Sequence, residues 1–313
     1  MKVLIIGAAG FVGSYLVHHL KNDLQWEVAV TKLPQETLAI PDISVYDLDI
    51  LDKDSIQKLL EALRPDAILH LAAQSSVGLS WKNPDLTIDI NIKGSIHVLD
   101  SIRTLDYKPR VLLIGSGEEY GHILPGESPI LETNVLRPGN IYAATKACQN
   151  MLGKIYADAY GMDIISVRAF NHIGPNQAPL FVVADFCKQV AEIEAGLLPP
   201  VIYVGNLSAA RDFSDVRDVV RAYGLLIQYG TAGETYNVGS GHAIAIEEIL
   251  QKILAQAKVP IQVQVDESKL RPVDVPIIEA NTTKLCQCTD WKPEISIDQT
   301  ITDVLKYWRN KTI

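Results

Sequence analysis

A parallel β-sheet with helices on both faces is the fold class that this 313-residue sequence predicts. Three observations predict it. Short apolar runs alternate with segments of helical spacing as far as Asn171, the alternation that builds right-handed βαβ units. The runs are continuously apolar, which fits strands buried on both faces. The first run ends in spaced glycines, at the strand end where such sheets place their ligands.

The elements follow in order. Lys2–Gly7 (KVLIIG) reads as a buried strand, and FVGSYLVHHLKN as the helix after it. WEVAVT is a second strand and ISVYDLDI a third. SIQKLLEAL carries apolar residues at helical spacing, with Asp52 and Asp54 ahead of it as natural N-caps. DAILHLAA is a fourth strand, followed by a helix around Asn91–Arg103. RVLLIGSG is a fifth strand, Ile141–Tyr160 a long helix and DIISVRAFN a sixth strand. Beyond Asn171 the pattern loosens. HIGPNQAPL reads as a Gly/Pro loop, Phe181–Gly196 as a helix, and GLLPPVIYVG as a turn into a short strand. ARDFSDVRDVVRAYGLLIQYG reads as a loop leading into a helix, ETYNVGSG as a further strand, and IEEILQKILAQAK as an amphipathic helix.

Composition narrows the function classes. The balance of 28 Lys and Arg against 37 Asp and Glu gives a net charge of −9. An acidic chain without a basic stripe is a poor nucleic-acid binder. No stretch approaches membrane-spanning length, so no membrane partner is expected. The apolar run Val3–Ile6 is too short for a secretory signal, and a cytoplasmic location is expected. Cys148, Cys187, Cys286 and Cys288 read as free thiols. The one close pair, Cys286 and Cys288, has no His or Cys nearby at zinc-ligand spacing, and no metal site is expected.

Gly7, Gly10 and Gly13 lie between a strand and a helix. Gly7 permits the tight turn, Gly10 lets the backbone approach a pyrophosphate, and Gly13 allows close packing. The helix N-terminus then offers free N–H groups to phosphates. The spacing is G-x-x-G-x-x-G, not the commoner G-x-G-x-x-G. The second strand ends Val30-Thr31-Lys32, without the acid that would grip the ribose 2′-hydroxyl of NAD. Lys32 instead offers a cation to the 2′-phosphate of NADP; the other reading is a solvated lysine. NADP(H) is therefore favoured and NAD(H) remains open. Asp49 is placed to accept from an adenine amino group, or serves simply as a loop residue before a helix.

Tyr142 and Lys146 are one turn apart on a predicted helix, and Ser116 directly follows the fifth strand. These three can run hydride chemistry on a carbonyl. A tyrosine has a pKa of about 10, so it needs a neighbouring cation to meet the charge of its phenolate. Lys146 supplies that cation, and Ser116 holds the carbonyl oxygen in line.

The segments GAAGFVG, HLAA (His70–Ala73), GSGEEYG (Gly115–Gly121) and YAATK (Tyr142–Lys146) resemble the extended short-chain dehydrogenase/reductases. RAFNHIGPNQ, RDFSDVRDVVRAY, YNVGSG and RPVD narrow the resemblance to a branch acting on GDP-linked 4-keto-6-deoxy sugars. It implies a Rossmann-type, doubly wound NADP-binding domain over residues 1–170, with returns near 215–240. Residues 171–313 would form a smaller α/β part that mainly binds the sugar nucleotide. The implied reaction is reduction of the C4 ketone of GDP-4-keto-6-deoxy-D-mannose to GDP-D-rhamnose.

The resemblance makes Ser116, Tyr142 and Lys146 catalytic. Gly7, Gly10, Phe11, Val12, Gly13, Lys32, Asp49, Ile50 and Ala72 would line the cofactor, with Tyr142 and Lys146. Glu118, Asn171, Val183, Lys188, Arg211, Ser214, Arg271 and Asp274 would join Ser116 around the substrate, the cations on its diphosphate or ribose. Each arginine alone reads equally well as a surface ion pair. His172 reads as a structural hydrogen-bonder. A homodimer through the helices near Asn91–Arg103 and Ile141–Tyr160 is expected.

Three rivals stand beside this reading. A nucleotide-sugar 4,6-dehydratase would use Glu118 as base, although Gly117 stands where some dehydratases carry an aspartic acid. A 4-epimerase uses the same Tyr/Lys pair. A cofactor-sensing binding protein on the same fold would have no need of Tyr142.

Overall fold

The computed structural model describes residues 1–38, 40–269 and 277–312. The first half holds β1 (Lys2–Ile6), α1 (Phe11–His18), β2 (Glu27–Lys32), β3 (Ser44–Asp47), α2 (Lys53–Leu63) and β4 (Ala67–His70). Then come α3 (Val77–Lys82), α4 (Pro84–Ile88), α5 (Ser95–Arg103), β5 (Arg110–Ser116), α6 (Ile141–Tyr160) and β6 (Ile164–Ala169). The second half continues with β7 (Asn171–Ile173), α7 (Val182–Glu194), β8 (Val201–Val204), β9 (Ala210–Asp215), α8 (Val216–Tyr229) and β10 (Thr235–Val238). It ends with β11 (Ala243–Ala245), α9 (Ile246–Leu254), β12 (Gln262–Val265), β13 (Ile277–Ile278), α10 (Thr283–Thr289) and α11 (Ile297–Thr312).

Seven parallel strands form the main sheet, in the order β10-β6-β5-β4-β1-β2-β3. Side chains alternate across a strand, so β1 feeds two cores at once. Val3 and Ile5 pack with Leu16, Val17, Val219 and Tyr223 of α1 and α8. Leu4 and Ile6 pack with Leu60, Val98 and Leu99 of α2 and α5. This double burial accounts for the unbroken apolar runs in the sequence. The order reverses between β1 and β4, and the crevice at their C-terminal ends is where such sheets bind ligands.

A second core lies around α7, α9 and α11, with Phe186, Ile249, Ile253, Ile301, Leu305 and Trp308 buried in it. Here β9 pairs with β7 and β13 in parallel and with β11 antiparallel, while β8 pairs with β12.

The fold departs from the sequence reading at two loops. Asn171–Ile173 and Ala210–Asp215 are strands, paired with each other. The second hides because its carboxylates look like surface groups. In the structure Asp212 accepts the N–H groups of Ser240, Gly241 and Ala280. Asp215 is met by Arg217 and Thr300. Tertiary partners make a buried strand from a sequence that reads locally as a loop. The helix expected around Asn91–Arg103 also starts earlier. It runs from Pro84 through a wide π-type turn, Asp89–Gly94, before Ser95.

Candidate active site

The glycine loop makes a tight turn between β1 and α1. β1 turns at Gly7, whose φ of +87° suits glycine alone. A Cβ there would also stand 2.6 Å from the backbone of Ala72. At Gly13 a Cβ would lie 2.0 Å from the Ala8 carbonyl oxygen. Gly10 is different: among the described residues nothing lies within 4 Å of the place a Cβ would take, and no side chain caps the N-terminus of α1 behind it. Open space in front of an uncapped helix end fits a pyrophosphate. Phe11 and Val12 form the half-buried first turn, and the Phe11 ring lies parallel to His172 at 6.2 Å.

The residues expected around an adenosine are engaged with the protein. Lys32 Nζ bonds Asp47 Oδ1 on β3 at 2.5 Å and the Leu33 carbonyl at 3.3 Å. Asp49 is exposed and accepts the Leu51 N–H, while Ile50 is buried against Gly94. Asp52, not Asp54, caps α2 through the Ser55 N–H.

β5 ends at Ser116 in a single 3-10 turn, Gly117–Tyr120. Ser116 Oγ accepts the Glu118 N–H at 3.2 Å, and Glu119 Oε1 accepts the Ser116 N–H at 2.8 Å. This reciprocal capping box fixes the serine backbone. Asn140 caps α6 by accepting the Ala143 N–H at 2.8 Å, and its Nδ2 donates to Glu118 at 3.2 Å. The cap thereby joins the start of the Tyr142 helix to the serine turn.

Tyr142 and Lys146 are both buried on the first two turns of α6. Burial pushes the Tyr142 hydroxyl above the ordinary tyrosine range; the neighbouring Ser116 side chain pulls it down and the Glu118 and Glu119 charges push it up. Lys146 Nζ donates to the Ile114 carbonyl at 2.8 Å and to Gln149 Oε1 at 3.0 Å. Two of the ammonium's three donors are thus spent on protein, not on Tyr142. Burial lowers the Lys146 pKa to about 8, with Glu119 opposing.

His70, at the end of β4, bonds Ser95 through Nε2. Burial and then the Lys146 charge hold its pKa down at about 3, so the ring is neutral. His172 Nδ1 pairs with the Phe170 carbonyl.

The substrate-side residues are more scattered. Asn171 is exposed on β7, and Val183 has its side chain wholly inside the second core. Lys188 bonds Glu192 one turn along α7 at 2.6 Å. Arg211 is buried in β9 and donates to the Ala210 carbonyl, and the buried Ser214 hydroxyl has no hydrogen-bond partner among the described residues. Arg271 and Asp274 lie outside the described residues.

With this geometry in view, comparison with known proteins is decisive. The family model described as GDP-mannose 4,6 dehydratase matches residues 4–304. The chain belongs to the GDP-mannose 4,6-dehydratase family. This family has the extended short-chain dehydrogenase/reductase fold that the motifs announce. The GDP-6-deoxy-D-mannose reductase of Pseudomonas aeruginosa is 32% identical over 310 residues, covering 99% of this chain and 98% of that one. The structure of RMD from Pseudomonas aeruginosa complexed with NADPH superposes with a TM-score of 0.89 at 32% identity, covering 99% of each chain. The Thermus thermophilus UDP-glucose 4-epimerase complex with NAD gives 0.88 at 29% identity, again over 99% of each.

The sequence singles out Ser116, Tyr142 and Lys146, which the structure brings to adjoining elements, and misses the residues that hold them. Asn140 was accessible as an N-cap residue directly before a helical run. Gln149, Glu119, Asn150 and Arg168 carry no local signal, because their partners are far apart in sequence.

Proposed function

We propose that the enzyme reduces the C4 ketone of GDP-4-keto-6-deoxy-D-mannose to GDP-D-rhamnose, with NADPH favoured and NADH as second cofactor. One observation carries the reading: Ser116, Tyr142 and Lys146 gather on the sheet that also carries the glycine loop, in a chain similar along its length to the Pseudomonas reductase.

Gly7, Gly10, Phe11, Val12 and Gly13 would hold the cofactor's pyrophosphate, with Ala72 behind Gly7. Lys32 would hold a 2′-phosphate by exchanging Asp47 for it, and Asp49 and Ile50 would border the adenine. Bound reduced nicotinamide supplies a hydride. Ser116 orients the ketone oxygen through its hydroxyl. Tyr142 gives its phenolic proton to that oxygen as charge develops there. Lys146 would have its remaining N–H for the cofactor ribose, and its charge would stabilise the phenolate left on Tyr142. Arg211 and Lys188, with Arg271 and Asp274, would hold the sugar nucleotide's diphosphate and ribose. Arginine forks match phosphate oxygens, which suits this task. Asn171, Ser214 and the first turn of α7 at Val183 would border the sugar.

One observation favours a second reading, dehydration of GDP-mannose. Glu118 lies on the serine turn with its carboxylate held by Asn140, as a C5 base would be. The two readings separate in one experiment. The protein is mixed with the ketone and NADPH or NADH, and cofactor absorbance and sugar product are followed. Cofactor loss with GDP-D-rhamnose formation supports the reductase. No loss, with GDP-mannose converted to the 4-keto-6-deoxy sugar in a parallel tube, overturns it.

The same reading places the protein in the cytoplasm as a homodimer. Among the described residues no helix is long and apolar enough to cross a membrane. Met151 and Ile155 lie one turn apart on α6 and are more than half exposed, an apolar stripe suited to a second copy.

A further inference from the structure

The serine turn and the Tyr142 helix meet over a carboxylate that no step of the reduction uses. Glu119 is wholly buried. Its Oε1 accepts the Ser116 N–H at 2.8 Å and Asn150 Nδ2 at 2.7 Å. Its Oε2 accepts Asn150 Nδ2 at 2.6 Å and Arg168 Nε at 3.0 Å. Ser116 ends β5, Arg168 lies on β6, and Asn150 stands one turn beyond Lys146 on the same face of α6. One side chain therefore ties together the elements that carry the site. Every partner is a donor, the set that an ionised carboxylate accepts, and the Arg168 guanidinium, the Ser116 N–H and Asn150 hold the charge against the upward push that burial gives the carboxyl.

The arrangement is braced on both sides. Arg168 Nη1 donates to the Tyr120 hydroxyl at 2.9 Å and to the Glu132 carbonyl at 3.0 Å. The Tyr120 hydroxyl donates to Asn237 at 2.6 Å. Gly115 leaves room for the carboxylate, since a Cβ there would stand 2.2 Å from Glu119 Oε1.

We propose that Glu119 is a positioning residue for the C4 chemistry: it sets Ser116 against the Tyr142–Lys146 helix and gives the site a fixed negative charge. The proposal rests on the reading of Ser116, Tyr142 and Lys146 as the reacting set. Stability alone is a weak reason for such a group, because well-packed apolar residues often stabilise a core as well as a buried ion pair does. Geometry is a stronger one, because small misplacements of reacting groups cost large factors in rate.

The charge has its own consequence. Lys146 is faced by His70 from β4 and by Glu119. Tyr142 is faced by Ser116, Glu118 and Glu119, and from α8 by Tyr223. Arg168 faces Glu119 from β6. Glu119 raises the proton affinity of both Lys146 and Tyr142. Its loss lowers both, so the pH limb of activity moves to lower pH whether Tyr142 starts as acid or as base.

The test compares kcat, KM and pH profiles of wild type, Glu119→Gln and Asn150→Ala. Glu119→Gln should lose roughly 10-fold in kcat through misplaced reacting groups, with both KM values nearly unchanged. Its alkaline limb should fall by about one pH unit. Asn150→Ala keeps the charge and removes the helix anchor, so kcat falls several-fold and the limb stays. Wild-type kcat in either variant, or a KM for NADPH rising in step with the loss of kcat, overturns the proposal. Should Glu119→Gln fail to fold, Asn150→Ala decides alone. A wild type that oxidises no NADPH faults the reductase reading instead. The same comparison then runs on GDP-mannose, whose C4 chemistry would use the same Tyr/Lys pair.

Discussion

In the proposed reduction Tyr142 would serve as an acid while it holds its proton and while a cation meets the charge it leaves behind. Burial secures the first condition, since the hydroxyl titrates above the ordinary range. The second depends on Lys146, which burial brings down to about 8. Reduction needs Lys146 protonated, so kcat/KM should be level below pH 8 and fall as pH rises through it. The free-enzyme pKa values govern that parameter. A profile of ketone reduction against pH checks this; a rate still rising at pH 9 would remove Lys146 from its role. His70, neutral with a pKa of about 3, adds no step near pH 6. The Tyr142–Lys146 spacing and Ser116 were legible in the sequence because each sits at a fixed offset on a regular element. The commitment of Lys146 to Ile114 and Gln149 was not legible, because it depends on how α6 lies across β5.

At the scale of elements, α6 carries Tyr142 and Lys146 and begins at a single cap. Asn140→Ala removes the acceptor for the Ala143 N–H and the donor to Glu118 together. Loss of such a cap typically costs about 1 kcal/mol, which for a protein of this size lowers Tm by roughly 2 °C. Thermal unfolding of the variant checks the value, and an unchanged Tm would show the cap to be idle. The helix ends were readable from Asn140 and from Gly161, whose φ of +61° stops α6 in a left-handed turn. The strands of the main sheet were readable because both faces are buried. β7 and β9 were not, since three residues give no period and the acids of β9 find their partners over long range. The C-terminal α11 had a readable stripe, Ile301, Val304, Leu305 and Trp308 at helical spacing, that the sequence reading passed over.

At the scale of the whole molecule, the seven-stranded sheet brings the glycine loop, the serine turn and α6 to one edge, and the second core adds β7 and β9 beside it. The assembly is expected to be a pair of chains joined through α6. Glutamates in place of Met151 and Ile155 should give monomers in sedimentation, and a wild type that sediments as a monomer would contradict the pairing. The reaction itself is tested most directly with NADPH carrying deuterium at both C4 positions of its nicotinamide, given with GDP-4-keto-6-deoxy-D-mannose. Reduction by this chain predicts GDP-D-rhamnose with one deuterium at the sugar C4, formed mole for mole with oxidised cofactor. Unlabelled sugar with the cofactor unspent would contradict it.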